Sequence, residues 1–203
     1  EETRTFMAAQ APYRTQPEEV LLAAAALAVG EALAADSCLA TITADARLAL
    51  VGAEVTRGVG PFLAAFPLPL DLAALRRARQ DSPDQAVIMI KERLRRVPAG
   101  GIGFGLLPDL AATTPSTLGF CYLGVTDTSP GTEGGWAVDA ALLRPMREAA
   151  ACPHRPIEIV TWIKDHRLHL WVACDSVAFD RAAADAFAQA LFHELSTLAY
   201  HLS

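Results

Sequence analysis

Residues 17–35 read Pro-Glu-Glu-Val-Leu-Leu-Ala-Ala-Ala-Ala-Leu-Ala-Val-Gly-Glu-Ala-Leu-Ala-Ala. Thr15 or Gln16 can cap a helix here, with Pro17 in its first turn and Glu18 and Glu19 near its positive end. Such a helix carries alanine or leucine on nearly every side, so it must be covered on more than one face. It therefore demands a sizeable surround. The chain has 203 residues, 52% of them hydrophobic, which is enough to build one. That composition excludes disorder. With 13 glycines, 13 prolines and 4 cysteines, it also excludes collagen-like and disulfide-dense scaffolds.

The elements that could supply the cover follow along the chain. Residues 39–42 and 48–51 are short strand candidates. Residues 59–70 form a longer apolar run broken by Pro61, Pro67 and Pro69, which predicts a short, irregular or edge strand. Ser82-Pro83-Asp84-Gln85 predicts a helix start, with Ser82 as cap and Gln85 completing a capping box. That helix runs to about Val97, carries Lys91, Arg93, Arg95 and Arg96 in its last turns, and stops at Pro98. A glycine-rich loop occupies 100–105, a strand 117–123 and a loop 129–135. Ile157, Ile159, Thr161 and Ile163 alternate along one arm of a hairpin, and Leu168, Leu170, Val172 and Cys174 along the other, about an Asp165-His166 turn. Trp162 and Trp171 lie on the opposite face. A last helix starts near Asp180, with Phe187, Leu191, Leu195, Leu198 and Leu202 in one stripe. No internal repeat is visible. The interleaving predicts an α/β (α+β) class, with helices packed on a mixed β-sheet.

The net charge of −6 argues against general nucleic-acid binding. The basic positions Arg76, Arg77, Arg79 and 91–96 read as a solvated face, with a docking surface for an acidic partner as the alternative. Residues 20–29 and Ala32-Leu33-Ala34 imitate a signal peptide. Glu18 and Glu19 stand where its positive region should be, and the stretch is too short to span a bilayer, so a buried helix is expected. Cys38, Cys121, Cys152 and Cys174 form no C-x-x-C pair, which predicts reduced thiols in a cytoplasmic setting. The chain starts at Glu1, and the expectation is a piece cut from something larger.

Familiar chemistries find little support. The glycine loop lacks the G-K-[ST] ending of a phosphate cradle and follows a helix instead of a strand, so a tight turn is expected. His154, His166, His169, Cys152 and Cys174 lack the spacing of a tetrahedral metal set. No G-x-S-x-G elbow is present.

Several short stretches, taken in order, resemble one family. Tyr13-Arg14-Thr15-Gln16 with Val20-Leu21-Leu22-Ala23 is similar to Y-R-T-x…L-L-x-A. Thr56-Arg57-Gly58-Val59-Gly60-Pro61-Phe62 is similar to S-R-T-V-G-W-F-T, and Phe66-Pro67-Leu68 to Y-P-V. Lys91-Glu92-Arg93-Leu94-Arg95-Arg96-Val97-Pro98 resembles K-E-x-L-R-x-V-P. Gly101-Ile102-Gly103-Phe104-Gly105-Leu106-Leu107 resembles G-I-G-Y-G-L-L, and Phe120-Cys121-Tyr122-Leu123-Gly124 resembles F-N-Y-L-G. These are motifs of the condensation and epimerization domains of nonribosomal peptide synthetases, and the epimerization branch is the nearer one.

The resemblance implies that residues 1–203 form a single C-terminal lobe of the chloramphenicol-acetyltransferase-like fold. The H-H-x-x-x-D-G motif of the family's first lobe has no match in this sequence. The epimerase motif E-G-H-G-R-E falls on Thr43-Ala44-Asp45-Ala46-Arg47-Leu48, which puts Thr43 at the working glutamate, and threonine has no proton to exchange at a useful pKa. The family's asparagine falls on Cys121 and its tryptophan on Pro61. Thr43, Asp45, Arg47, Pro61, Cys121 and Tyr122 are thus the positions where the motif is degenerate. The expectation is a non-catalytic module that docks the adjacent adenylation domain or a peptidyl carrier protein. The alternative is half of an enzyme, completed by a lobe from another segment or chain, with Asp45, Arg47 or Tyr122 contributing. No cofactor, metal, nucleic acid or membrane is expected to bind directly. The phosphopantetheine arm would belong to the carrier protein.

Overall fold

The computed structural model describes residues 6, 15–49, 60, 62–106, 116–126 and 155–202. Among them run α1 (Pro17–Ala32), β1 (Ser37–Asp45), β2 (Leu63–Asp71), α2 (Leu72–Asp81), α3 (Pro83–Arg95), β3 (Leu118–Val125), β4 (Ile157–Lys164), β5 (Arg167–Cys174) and α4 (Arg181–Leu202). The five strands form one mixed sheet in the order β2-β1-β3-β4-β5. β1, β3 and β4 are parallel, while β2 and β5 pair antiparallel at the two edges. The expected α/β class with helices on a mixed sheet is what forms.

α1 is the centre of the helix layer. Val20 through Val29 are buried, and Ala23 to Ala26 have no exposed surface at all. The reason is the small side chain: alanine lets α4 and the sheet approach closely, and each contact removes apolar area from water. α4 brings Phe187, Leu191, Leu195, Leu198 and Leu202, all buried, as its periodicity predicts. Asp180 caps that helix, accepting from the Ala183 N–H at 2.7 Å. The sheet contributes one face of alternating residues, including Ala40, Ile42, Phe66, Leu68, Phe120, Ile159 and Ile163.

The edges obey local chemistry. Pro67 and Pro69 lie in β2 opposite Thr41 and Leu39, and β2 is an edge strand, where a missing donor costs least. The β4–β5 hairpin keeps the expected register, with Ile163 opposite Leu168 and Ile157 opposite Cys174. Asp165 and His166 both take left-handed conformations, with φ 51° and 57°, as a two-residue hairpin turn requires.

Three local expectations need correction. No strand starts at residue 48: Ala46–Ala49 is a 3-10 turn, because Asp45 and Arg47 turn the chain at the end of β1. Ser82 stands at the cap position of α3 but does not cap it. Its hydroxyl donates to the Asp84 carboxylate and lies 3.3 Å from His201 Nε2, and no Ser82–Gln85 box forms. The basic stretch around Arg76 is not merely a solvated face, because it belongs to α2. There Asp71 caps the helix through the Ala74 N–H at 2.8 Å, and the Arg76 guanidinium reaches the Ala35 carbonyl at 2.7 Å, closing the end of α1. The predicted loop at 129–135, Pro61 and Cys152 fall outside the described residues.

Candidate functional site

The sealed interior opens at one end. Where β1 and β3 reach their carboxyl ends, a crevice of about 690 Å³ separates the sheet from the first turn of α1. Parallel strands commonly leave such a space beyond their carboxyl ends, because the covering helices must turn away there. Leu22, Ile42, Phe66, Leu94 and Phe120 make its apolar walls. Gln16, Asp45, Gly100 and Leu123 at its rim are exposed, so it faces solvent.

The turn at the crevice wall is built by glycine. Gly101 has φ +81°, and a Cβ placed on it would enter the Phe66 ring. The glycine-rich segment forms 3-10 turns, Pro98–Gly101 and Phe104–Leu106, in agreement with a tight-turn reading. On the opposite wall, the register between β3 and β4 shifts between Tyr122 and Val125, where Gly124 takes φ +80°. This irregularity sits beside the site, as bulges often do.

The motif positions divide into three groups. Thr43, Asp45 and Tyr122 line the crevice. Cys121 is the Cα partner of Thr43 in the β1–β3 pairing, but strand alternation puts it on the face opposite Tyr122, and Tyr122 is the one that packs against the core. Arg47 is tied locally. Its guanidinium lies 3.2 Å from the Asp45 carboxylate and 4.4 Å over the Phe62 ring, and its N–H donates to Asp45 at 2.9 Å. Asp45 is therefore already charge-paired. Pro61 lies outside the described residues.

Glu18 joins this group, and its role was not legible in sequence. Both Glu18 and Glu19 read as helix-dipole charges. Both stand in the first turn of α1, and Glu19 also caps it: Glu19 is buried, and its carboxylate accepts from the Gln16 N–H at 2.8 Å. Glu18 is half-buried and lines the crevice. Burial, and then the Glu19 charge, push its pKa above the ordinary carboxylate value. The Tyr122 pKa is also raised, first by burial and then by Glu18. The one signal in the sequence was redundancy, since a single carboxylate satisfies the cap and two were present.

Of the candidate metal residues, His166, His169 and Cys174 are described, and they lie at different places on the β4–β5 hairpin. His166 occupies the exposed hairpin turn, and the His169 ring stacks on Trp162 with centroids 5.2 Å apart. His154 and Cys152 lie outside the described residues. Among the described residues, no group of three or more His, Cys, Asp or Glu could hold a metal ion. Cys38, Cys121 and Cys174 are not in disulfides. No helix of the described residues is long and apolar enough to cross a membrane.

No family model matches the chain. It is 31% identical over 134 residues, 61% of its length, to tyrocidine synthase 2 of Brevibacillus parabrevis. It is 26% identical over 201 residues, 93% of its length, to a linear gramicidin synthase protein of the same organism. It spans only 4% of the first of these proteins and 2% of the second. In three dimensions it matches the epimerization domain from the third module of tyrocidine synthetase B at TM-score 0.76, with 20% identity, covering 99% of this chain and 46% of that one. It also matches the first condensation domain of the CDA synthetase at TM-score 0.61, with 13% identity, covering 98% and 43%. Taken together, the order of the motifs, the mixed sheet with its helix layer and these likenesses show that the chain resembles part of a condensation/epimerization domain in fold and is similar in sequence to nonribosomal peptide synthetases.

Proposed function

We propose that residues 1–203 act as a single non-catalytic lobe within a nonribosomal peptide synthetase, docking the adjacent adenylation domain or a peptidyl carrier protein. One observation carries this reading. The positions at which the motif calls for proton-transferring or polar groups hold Thr43 and Cys121, while Asp45 and Arg47 neutralise each other at 3.2 Å. The parts that remain are structural: the Asp71 and Asp180 caps, the Gly101 turn, the hairpin and the long last helix. Acid–base chemistry on a carrier-bound substrate needs groups on both sides of the reacting atom and walls that exclude water. The crevice has walls but an exposed rim that leaves it open to solvent.

The phosphopantetheine arm in this reading is carried by the partner. Among the described lining residues there is no Lys, Arg or His, so the apolar walls suit the uncharged part of an arm while its phosphate stays outside. Excising this lobe from its synthetase tests the proposal. Product yield should fall by an order of magnitude, about tenfold or more, while amino-acid-dependent pyrophosphate exchange persists. Normal yield after excision overturns it.

The crevice itself favours a second reading, an enzyme half completed by a lobe from another segment or chain. Substituting Thr43, Asp45, Cys121 and Tyr122 in the intact assembly and measuring thioester turnover separates the two. Wild-type rates throughout remove the second reading.

A further inference from the structure

Among the described residues, charge in the crevice is one-sided. Leu22, Ile42, Phe66, Leu94 and Phe120 make its apolar walls, and none of the described lining residues is cationic. Of the two acids among them, Asp45 is paired with Arg47. Glu18 has no hydrogen bond or ion pair to any described residue; it lines the crevice together with Tyr122, whose pKa its charge raises, and has Glu19 beside it on α1. A half-buried carboxylate without a partner has lost hydration that nothing replaces. A ligand bringing a cationic hydrogen-bond donor to that spot recovers the loss, and an anionic ligand deepens it.

We propose that Glu18 is the charge-selecting residue of this crevice, admitting a ligand with an apolar body and a protonated primary amine and rejecting the corresponding carboxylate. The lining supports both halves of this description. The apolar walls take the body, and Glu18 and Tyr122, which line the same crevice, receive the amine. The assignment does not depend on docking of another domain, because a small amine binds without one.

Three near-isosteric probes test it on the full chain: 2-phenylethylamine, 2-phenylethanol and 3-phenylpropionate. Titration is followed by chemical shifts of the Tyr122 and Phe120 rings at neutral pH. The amine should bind about fivefold more tightly than the alcohol, the effect of one partly buried ion pair, and the carboxylate should bind more weakly than the alcohol. Glu18→Gln should abolish the preference for the amine while leaving alcohol affinity within about twofold. Asp45→Asn, which touches the paired acid, should keep the preference. Equal affinities for amine and alcohol, failure of the amine to shift either ring, or a preference that survives Glu18→Gln each overturns the proposal. None of these outcomes bears on whether excision of the lobe lowers product yield.

Discussion

The two ends of α1 behave differently. From Ala23 to Ala26 the helix is sealed, with alanines against α4 and the sheet and no exposed surface. One turn earlier, at Pro17 and Glu18, the same helix borders a crevice of about 690 Å³. The strands beneath are continuous across both regions. What changes is the residue type on the helix. Small apolar side chains draw the layers together, while a cap, a proline and two carboxylates hold them apart. Packing thus makes the scaffold, and the place where packing stops makes the candidate site.

The contrast can be broken first at the sealed end. Leu198 on α4 has no exposed surface. Leu198→Ala should cost about 4 kcal/mol by urea denaturation, since neighbours in a tight interior cannot collapse into the void. A loss below about 1 kcal/mol would show that this end is not tightly packed. At the crevice wall, Gly101→Ala should cost about 3 kcal/mol, through a Cβ that enters the Phe66 ring and a backbone at φ +81° that alanine resists. The same denaturation assay checks it, and an unchanged midpoint would mean the wall is pliable.

Thiol chemistry reads the partial burial at the start of β1. Cys38 lies near the start of β1, away from the crevice, and burial pushes its thiol up to about 11. At pH 8 its thiolate population should be over about a hundredfold lower than that of a free cysteine, and alkylation followed by peptide mass mapping should show it correspondingly slow. Labelling as fast as a free thiol would contradict the burial.

The smallest effect concerns Glu18. Its proton is held more tightly in the folded chain than in the unfolded chain, because burial and Glu19 raise its pKa. Its contribution to stability is therefore complete below the unfolded carboxylate pKa and is lost as pH rises through the raised folded value. Glu18→Gln should match the wild type in stability near pH 4 and exceed it slightly near pH 7, by less than either core substitution costs. The groups facing Glu18 that could blur this are Glu19 on its own helix, Tyr122 from β3 and the Asp45–Arg47 pair at the end of β1. Thermal midpoints of the two proteins across that range decide it. A gap that widens toward acid would reverse the assigned sign.

Local sequence patterns were sufficient for α1, the β4–β5 hairpin and α4. Each is specified by neighbours within a few residues: alanine and leucine on every side, strict alternation about Asp165-His166, and the stripe from Phe187 to Leu202. α2 escaped notice because its buried stripe is only Leu72 and Leu75 among arginines, and because the task of Arg76 lies 41 residues away at the Ala35 carbonyl. The motif resemblance located Thr43, Asp45 and Tyr122, three of the crevice-lining residues, but it did not separate Glu18 from Glu19.

By itself, then, the sequence determined α1, the β4–β5 hairpin and α4, and that one helix must be buried all round. Only the tertiary structure decided that β1 and β3 run parallel side by side, that Cys121 lies on the face opposite Tyr122, and that Glu18 faces a cavity while Glu19 caps a helix. The reason is physical. Secondary structure follows from contacts a few residues apart, whereas a cavity forms where elements distant in sequence fail to close, and its charge depends on which carboxylates find partners after the layers have packed.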